Sequence, residues 1–363
     1  MDKYVACYVA LGFLGMATCT MAENSLGNVG FSGSILTVAD VFQQGTLRNT
    51  QFDQALNLNI NVTFNAQLTA QAQLQGGPGG GFIGFNGPGL SVSQLYVAYA
   101  PTVTDTWTLG AFAQPLGQSA SRLSINADGG NNAFLINSLA YSALMTAVGN
   151  LNTLGVGWQR NGEAWTWNAA LSNGPGVTAA NPAATFEGLL NMQVQPGDGP
   201  WVFSGTYMQS DAGPSGNAGN TFSMWMADVS FQDDANPWTG IAYIGQFSYN
   251  DGNATTSDGV GIASAELAYD FTPALYVSAR WSGWLPTDSD GNGVGVSAGI
   301  PNPGYAVAHD AYTVVTDQRI DRYQIGVGQY WTSVVLAKAE VVADIYQHGE
   351  DVVAVIGSLN FFF

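Results

Sequence analysis

The amino-acid sequence predicts an all-β chain: a transmembrane antiparallel β-barrel of about 16 strands, with long external loops and short periplasmic turns. Three observations carry this expectation. The 363 residues are 46% hydrophobic and 12% aromatic but only 9% charged, whereas soluble domains carry roughly 25% charged residues. Apolar and polar residues alternate with period two over much of the chain. The connections between the alternating segments are short and long in turn.

Composition removes the competing classes first. No segment after residue 22 holds about 18 uncharged apolar residues in a row, so spanning helices are not expected. Backbone polar groups in lipid must all be satisfied, which leaves a closed barrel as the other spanning structure. With 10 Trp, 15 Tyr and 18 Phe, the chain has too much apolar surface to remain disordered. A formal net charge of −18 repels nucleic acid, and no basic patch is present.

At the N-terminus, Lys3, the apolar run from Val5 to Met16 and the small-residue site Thr20-Met21-Ala22 read as a secretory signal over 1–22. A lipoprotein anchor through Cys19 is the rival, which Thr18 fits poorly. Both cysteines, Cys7 and Cys19, lie in that segment. The remaining chain, read as one barrel domain over 23–363, then has no disulfide, thiolate metal site or cysteine nucleophile. Lys3 and Asp2 leave together, so the balance stays at −18.

Leu56-Asn-Leu-Asn-Ile-Asn-Val-Thr-Phe64 alternates most plainly. One face is apolar and the other carries uncharged amides, as a water-filled lumen allows. The pattern resumes over 66–75, with Leu68, Ala70, Ala72 and Leu74 against Gln67, Thr69, Gln71 and Gln73. Strands are expected near 28–39, 54–63, 66–75, 91–101, 106–114, 152–160, 165–172, 184–194, 201–210, 220–232, 238–249, 260–270, 274–284, 320–331, 335–346 and 352–363. Short connections fall at 101–105, 161–164, 195–200, 233–237, 270–273 and 331–334; long ones at 40–53, 76–90, 115–151, 173–183, 211–219, 250–259 and 285–319. An even strand count returns both termini to the short-turn side.

The last segment places Val353, Val355, Gly357, Leu359, Phe361 and Phe363 on one apolar parity, ending on an aromatic residue. This resembles the final strand of bacterial outer-membrane barrels. Trp107, Trp158, Trp165, Trp201, Trp238, Tyr269, Trp281, Trp284, Tyr330 and Trp331 gather at strand ends, where interfacial girdles form.

Several stretches carry a family resemblance. Leu95-Tyr-Val-Ala-Tyr-Ala-Pro101 followed by Trp107-Thr-Leu-Gly-Ala-Phe-Ala-Gln-Pro-Leu116 is similar to the strand, turn and "G-Q-F-K-x-P-F" segment of the phosphate-selective porin O/P family. Gly110, Phe112, Gln114 and Pro115 stand in that segment, with Gln114 where the family favours Lys. Leu154-Gly-Val-Gly-Trp158 with Trp165-Thr-Trp-Asn-Ala-Ala-Leu-Ser-Asn-Gly174 resembles its next hairpin, and Tyr323-Gln-Ile-Gly-Val-Gly-Gln-Tyr-Trp331 its penultimate one. The resemblance implies a sixteen-strand porin in the outer membrane of a Gram-negative bacterium, assembled as a homotrimer. Phosphate selection does not carry over. That family relies on lumenal arginines and lysines, and beyond residue 22 this chain has only Arg48, Arg122, Arg160, Arg280, Arg319, Arg322 and Lys338.

Parity nominates the lumen-facing charges. Phe186, Leu190, Met192 and Val194 face lipid, which turns Glu187, Asn191 and Gln193 inward. By the same rule Asp228, Glu266, Arg280, Arg322, Lys338, Glu340 and Asp344 line the pore, since a charge on the lipid face costs roughly 2–4 kcal/mol at the midplane. Arg280, Arg322 and Lys338 form either a basic patch opposite acidic walls or pairs with Glu340 and Asp344. Arg122 and Asp128 bracket the apolar run Ala133-Phe-Leu-Ile-Asn-Ser-Leu-Ala140 in the 115–151 connection; a loop this long and apolar is expected to fold inward and narrow the pore.

Other chemistry is sparse. Asp288-Ser-Asp290-Gly-Asn292-Gly293 matches the first half of a calcium loop, but position twelve is Gly299 rather than the bidentate Glu. A polar turn is the preferred reading, with millimolar calcium binding as the alternative; no other metal and no cofactor is expected. Gly76-Gly-Pro-Gly-Gly-Gly81 lacks the Lys-Ser/Thr of a phosphate cradle. His309 and His348 have no nucleophile beside them in sequence, so no enzyme is expected. The function expected is passive diffusion of small hydrophilic solutes or ions, weakly cation-leaning. The alternatives are a substrate-specific channel for a sugar, phosphate or metal chelate, and a non-channel surface or adhesion protein.

Overall fold

The computed structural model describes residues 28–78, 88–115, 134, 138, 139, 152–173, 186–212, 218–232, 235–250, 257–286 and 319–363. Sixteen strands follow one another in chain order. The first eight are β1 (Asn28–Gln44), β2 (Leu47–Thr63), β3 (Leu68–Pro78), β4 (Pro88–Tyr99), β5 (Asp105–Ala113), β6 (Asn152–Asn161), β7 (Trp165–Ser172) and β8 (Glu187–Val194). The second eight are β9 (Trp201–Ala212), β10 (Ala218–Gln232), β11 (Trp238–Asn250), β12 (Ser257–Thr272), β13 (Leu275–Pro286), β14 (Ile320–Thr332), β15 (Val335–Tyr346) and β16 (Val352–Phe362).

Each strand pairs antiparallel with its sequence neighbours, and β1 pairs with β16 to close the barrel. At the seam Gly33 and Phe363 exchange backbone hydrogen bonds of 2.8 and 3.0 Å. Closure leaves no strand edge, the condition for crossing a hydrocarbon layer.

Period-two alternation decides which way each strand faces. In β14 and β15 the exposed residues include Tyr323, Ile325, Val327, Val341 and Ile345, while the buried ones between them include Arg322, Gln324, Lys338, Glu340 and Asp344. A water-soluble barrel has the reverse distribution; here apolar side chains face out and charged ones face in. Aromatic rings ring the short-turn end of the outer face. Trp107 and Trp158 lie 6.4 Å apart between centroids, Trp201 and Phe231 5.0 Å, Trp238 and Tyr269 4.6 Å, and Tyr269 and Phe271 4.9 Å. Two expected girdle members do not belong to it. Trp284 is fully buried on the inner parity of β13, and Tyr330 is paired with the buried inward Leu336 across a bulge.

Most strands begin and end within about three residues of their expected bounds, the usual reach of sequence patterns. The exception is the first hairpin. Residues 40–53, expected to be a loop, continue β1 and β2 in unbroken register from Asn28↔Thr63 to Gln44↔Leu47. The chain reverses at Gly45 and Thr46, with Gly45 at φ +53°. A two-residue hairpin turn needs positive φ, which glycine supplies without steric cost. The density of Gln, Asn and Asp here imitates a loop, but the same residues are tolerated where one face of a strand lines a polar interior.

Candidate functional site

The interior of the barrel has two unlike walls. Along β12 to β15 the charged side chains are engaged with one another. Arg280 on β13 stands directly across from Glu266 on β12 and from Gln324 on β14. Its Nη1 is 3.3 Å from Glu266 Oε2, and its Nε donates to Gln324 Oε1 at 2.7 Å. Gln324 Nε2 in turn donates to Glu340 Oε1 at 2.7 Å. Arg322 and Asp344, opposite each other on β14 and β15, form a fork at 2.7 and 2.8 Å with both side chains buried. Of the two readings of the basic residues, Arg280 and Arg322 follow the paired one. Lys338, across from Gly328, is buried on the same wall.

Of the remaining expected pore-lining residues, Asp228 and Glu187 lie on β10 and β8. Asp228 on β10 is buried opposite Tyr243. Glu187 on β8 accepts through Oε1 from Gln114 Nε2 at 3.3 Å and Ser172 Oγ at 3.2 Å. Asp40 on β1 is a further buried inward carboxylate, overlooked because its segment reads as loop. Arg122 and Asp128 lie outside the described residues, as do Asp288, Asp290 and Asn292. Among the described residues no cluster of three metal-ligating side chains occurs.

Toward the long-connection ends of β10 to β14 this wall turns apolar. Phe222, Met224 and Met226 on β10, Phe247 on β11, Val260 and Ile262 on β12, Trp284 on β13 and Ile320 on β14 are all at most 2% exposed. Sequence parity did not find them, because a strand such as Phe222-Ser-Met-Trp-Met is apolar on both faces and loses its period. Part of the β5–β6 connection rests on this wall. Ser138 shares a hydrogen bond with the Tyr243 hydroxyl, and Leu139 donates its backbone N–H to Ser282 Oγ at 3.2 Å. The Phe134 ring lies 4.4 Å from the Arg280 guanidinium carbon, a cation–π arrangement. All three connection residues are buried, so at these points the connection lies inside the barrel, as its apolar content suggested.

A second stretch of wall, along β2 to β4 and separated from β15 only by β16 and β1, has a different chemistry. Asn59 faces Gln73, Asn61 faces Gln71, and across the next ladder Gln73 faces Gln94 and Gln71 faces Tyr96. These face inward, since Leu58, Ile60 and Val62 between them have the outer parity. The Tyr96 hydroxyl donates to Gln71 Oε1 at 2.6 Å. A bulge between Gln73 and Leu74 brings Ser93 Oγ to 2.9 Å from Gln73 Oε1. Asn59, Gln71, Gln94 and Tyr96 stay partly exposed and Asn61 is exposed, in contrast to the sealed wall of β12 to β15. Beside this wall, Gly110 on β5 is held at φ +127°, with Leu95 O only 2.3 Å from where a Cβ would stand. The family-like glycine there serves a close backbone approach.

No protein-family model matches the chain, and no curated protein sequence does. Solved structures do. An anion-selective porin from Comamonas acidovorans superposes with a TM-score of 0.65 at 10% identity, covering 92% of this chain and 99% of that one. The outer-membrane channel DcaP of Acinetobacter baumannii gives 0.64 at 12% identity over 95% of this chain and 99% of that one. A trimer form of OmpT, an outer membrane protein of Vibrio cholerae, gives 0.60 at 11% identity over 93% of this chain and all of that one. At such identities the likeness is one of architecture: this chain has the sixteen-stranded barrel fold of the outer-membrane porins.

Proposed function

We propose that the protein is a porin of the Gram-negative outer membrane, passing small hydrophilic solutes and ions by diffusion through the barrel interior with a weak preference for cations. The inside-out distribution of side chains carries this reading: a closed barrel, apolar outside and polar inside, is built for lipid around it and water within. The cation preference rests on the net charge of −18 and on the inward carboxylates Asp40, Glu187, Asp228, Glu266, Glu340 and Asp344, which outnumber Arg280, Arg322 and Lys338. With Arg280 and Arg322 committed to acidic partners, the phosphate-type substrate implied by the family resemblance has little support. A homotrimer is part of the proposal, by analogy with the trimer form of OmpT.

Planar-bilayer recording tests the reading. Purified protein is expected to insert as discrete conductance steps, in multiples of three if trimeric. Reversal potentials in a KCl gradient should favour K⁺, more so in dilute salt because screening acts over roughly 10 Å at 0.1 M. Absence of steps overturns the porin reading; a Cl⁻ preference overturns the selectivity alone.

A further inference from the structure

We infer that the amide wall of β2 to β4 is a recognition track for uncharged polyhydroxylated solutes, small saccharides in particular. The inference rests on the porin reading and adds a substrate class to it.

The argument turns on which polar groups are already spoken for. On the wall of β12 to β15, Arg322 and Asp344 satisfy each other, and Glu266, Arg280, Gln324 and Glu340 form a connected chain. On the amide wall Asn59, Asn61 and Gln94 make no side-chain hydrogen bond to any described residue, and Gln71 uses only its Oε1. An amide carries donors and an acceptor on one planar group; Asn59 Oδ1 is buried, so at Asn59 the Nδ2 donors are what a solute can meet. A sugar hydroxyl likewise donates and accepts, so either partner can adjust to the other.

Geometry suits the same ligand. Directly opposed residues of an antiparallel ladder have Cβ atoms about 4.5–5.5 Å apart. The pairs Asn59↔Gln73, Asn61↔Gln71 and Gln71↔Tyr96 therefore repeat amide and hydroxyl groups on a spacing that long side chains can close onto neighbouring hydroxyls. Tyr96 adds an aromatic ring beside them. No charged side chain stands among these positions, so neither anions nor cations gain there over a neutral solute. Several weak sites in succession favour entry while permitting exit.

The test is occlusion of the open channel by maltose and by glucose, titrated in KCl across planar bilayers. Wild-type protein should show sugar-dependent closure that saturates. The double variant Gln71→Ala/Gln94→Ala should weaken apparent sugar affinity about three- to tenfold, the loss of one or two net hydrogen bonds, without lowering KCl conductance. Glu266→Gln, on the charged wall of β12 to β15, should leave sugar affinity unchanged. Full KCl conductance with no sugar occlusion overturns the track while the porin reading stands, as does occlusion that the double variant does not alter. Absence of any conductance removes both.

Discussion

The wall of β12 to β15 and the wall of β2 to β4 solve the same problem, a polar surface turned into a barrel, by opposite means. The first carries full charges and silences them by mutual pairing. Arg322 and Asp344 form a buried fork, and Arg280 is enclosed by Glu266, Gln324 and the Phe134 ring. The second, where Asn59, Asn61, Gln71, Gln73, Gln94 and Tyr96 meet, has no charged side chain among these positions and leaves Asn61, Gln71 and Gln94 at least partly exposed. Removing an ion from water costs several kcal/mol unless a partner compensates; exposing an amide to water costs almost nothing. Charge on the inner face is therefore a poor guide to which inner face meets solute. In this barrel the charged wall is paired within itself, while Asn61 and Gln94 on the neutral wall make no side-chain hydrogen bond to any described residue.

The sharpest way to break the comparison is to unpair a charge. Arg322→Leu leaves Asp344 buried without its fork and should cost about 3–5 kcal/mol. This reads out as a lower temperature for conversion from the compact to the unfolded form on heat-modifiable gels. Adding Asp344→Leu should restore most of the loss, because an apolar pair of similar volume tolerates the site. An Arg322→Leu barrel as heat-stable as wild type would mean that the fork does not hold the wall.

A smaller effect separates the two walls by function. Phe134→Ala removes the ring over Arg280, a contact worth roughly 0.5–2 kcal/mol, and loosens the attachment that Ser138 and Leu139 continue. Single-channel conductance should rise, while the barrel's melting behaviour stays close to that of wild type. Unchanged conductance would show that this connection does not narrow the path.

The smallest effect belongs to the open wall. Asn59→Ala and Gln94→Ala remove side chains with no partner among the described residues and should shift stability by less than about 0.5 kcal/mol. A larger loss, measured by the same gel transition, would mean that the amides are structural after all and would erase the contrast between the walls.

Much of the architecture was legible in the sequence. Period two in Leu56 to Phe64, alternation from Val353 to Phe363 and connections of unequal length are local signals. A strand in a closed barrel has the same two environments along its whole length, so local alternation suffices to orient it. The inward assignment of Glu266, Arg280, Arg322, Lys338, Glu340 and Asp344 followed from that alternation, since lipid rejects charge on the other face. The signal weakens where both faces are apolar, as at Phe222 to Met226, or where a polar strand looks like a loop, as from Asp40 to Asp53. Aromatic residues near strand ends were equally ambiguous: Trp107 and Trp238 join the outer girdle, but Trp284 is buried inside.

What the sequence by itself determined is thus the barrel, its sidedness and the parity of most inner residues, because each depends on neighbours two positions apart. Only the tertiary structure decided that Arg280 spends its charge on Glu266 and Gln324, that Phe134 comes to rest on it from more than a hundred residues away in the chain, and that Asn61, Gln71 and Gln94 stay at least partly exposed. Those outcomes depend on which strands meet around the barrel and on what fills its middle. Contacts of that range are set by register and closure, and a single strand carries no record of either.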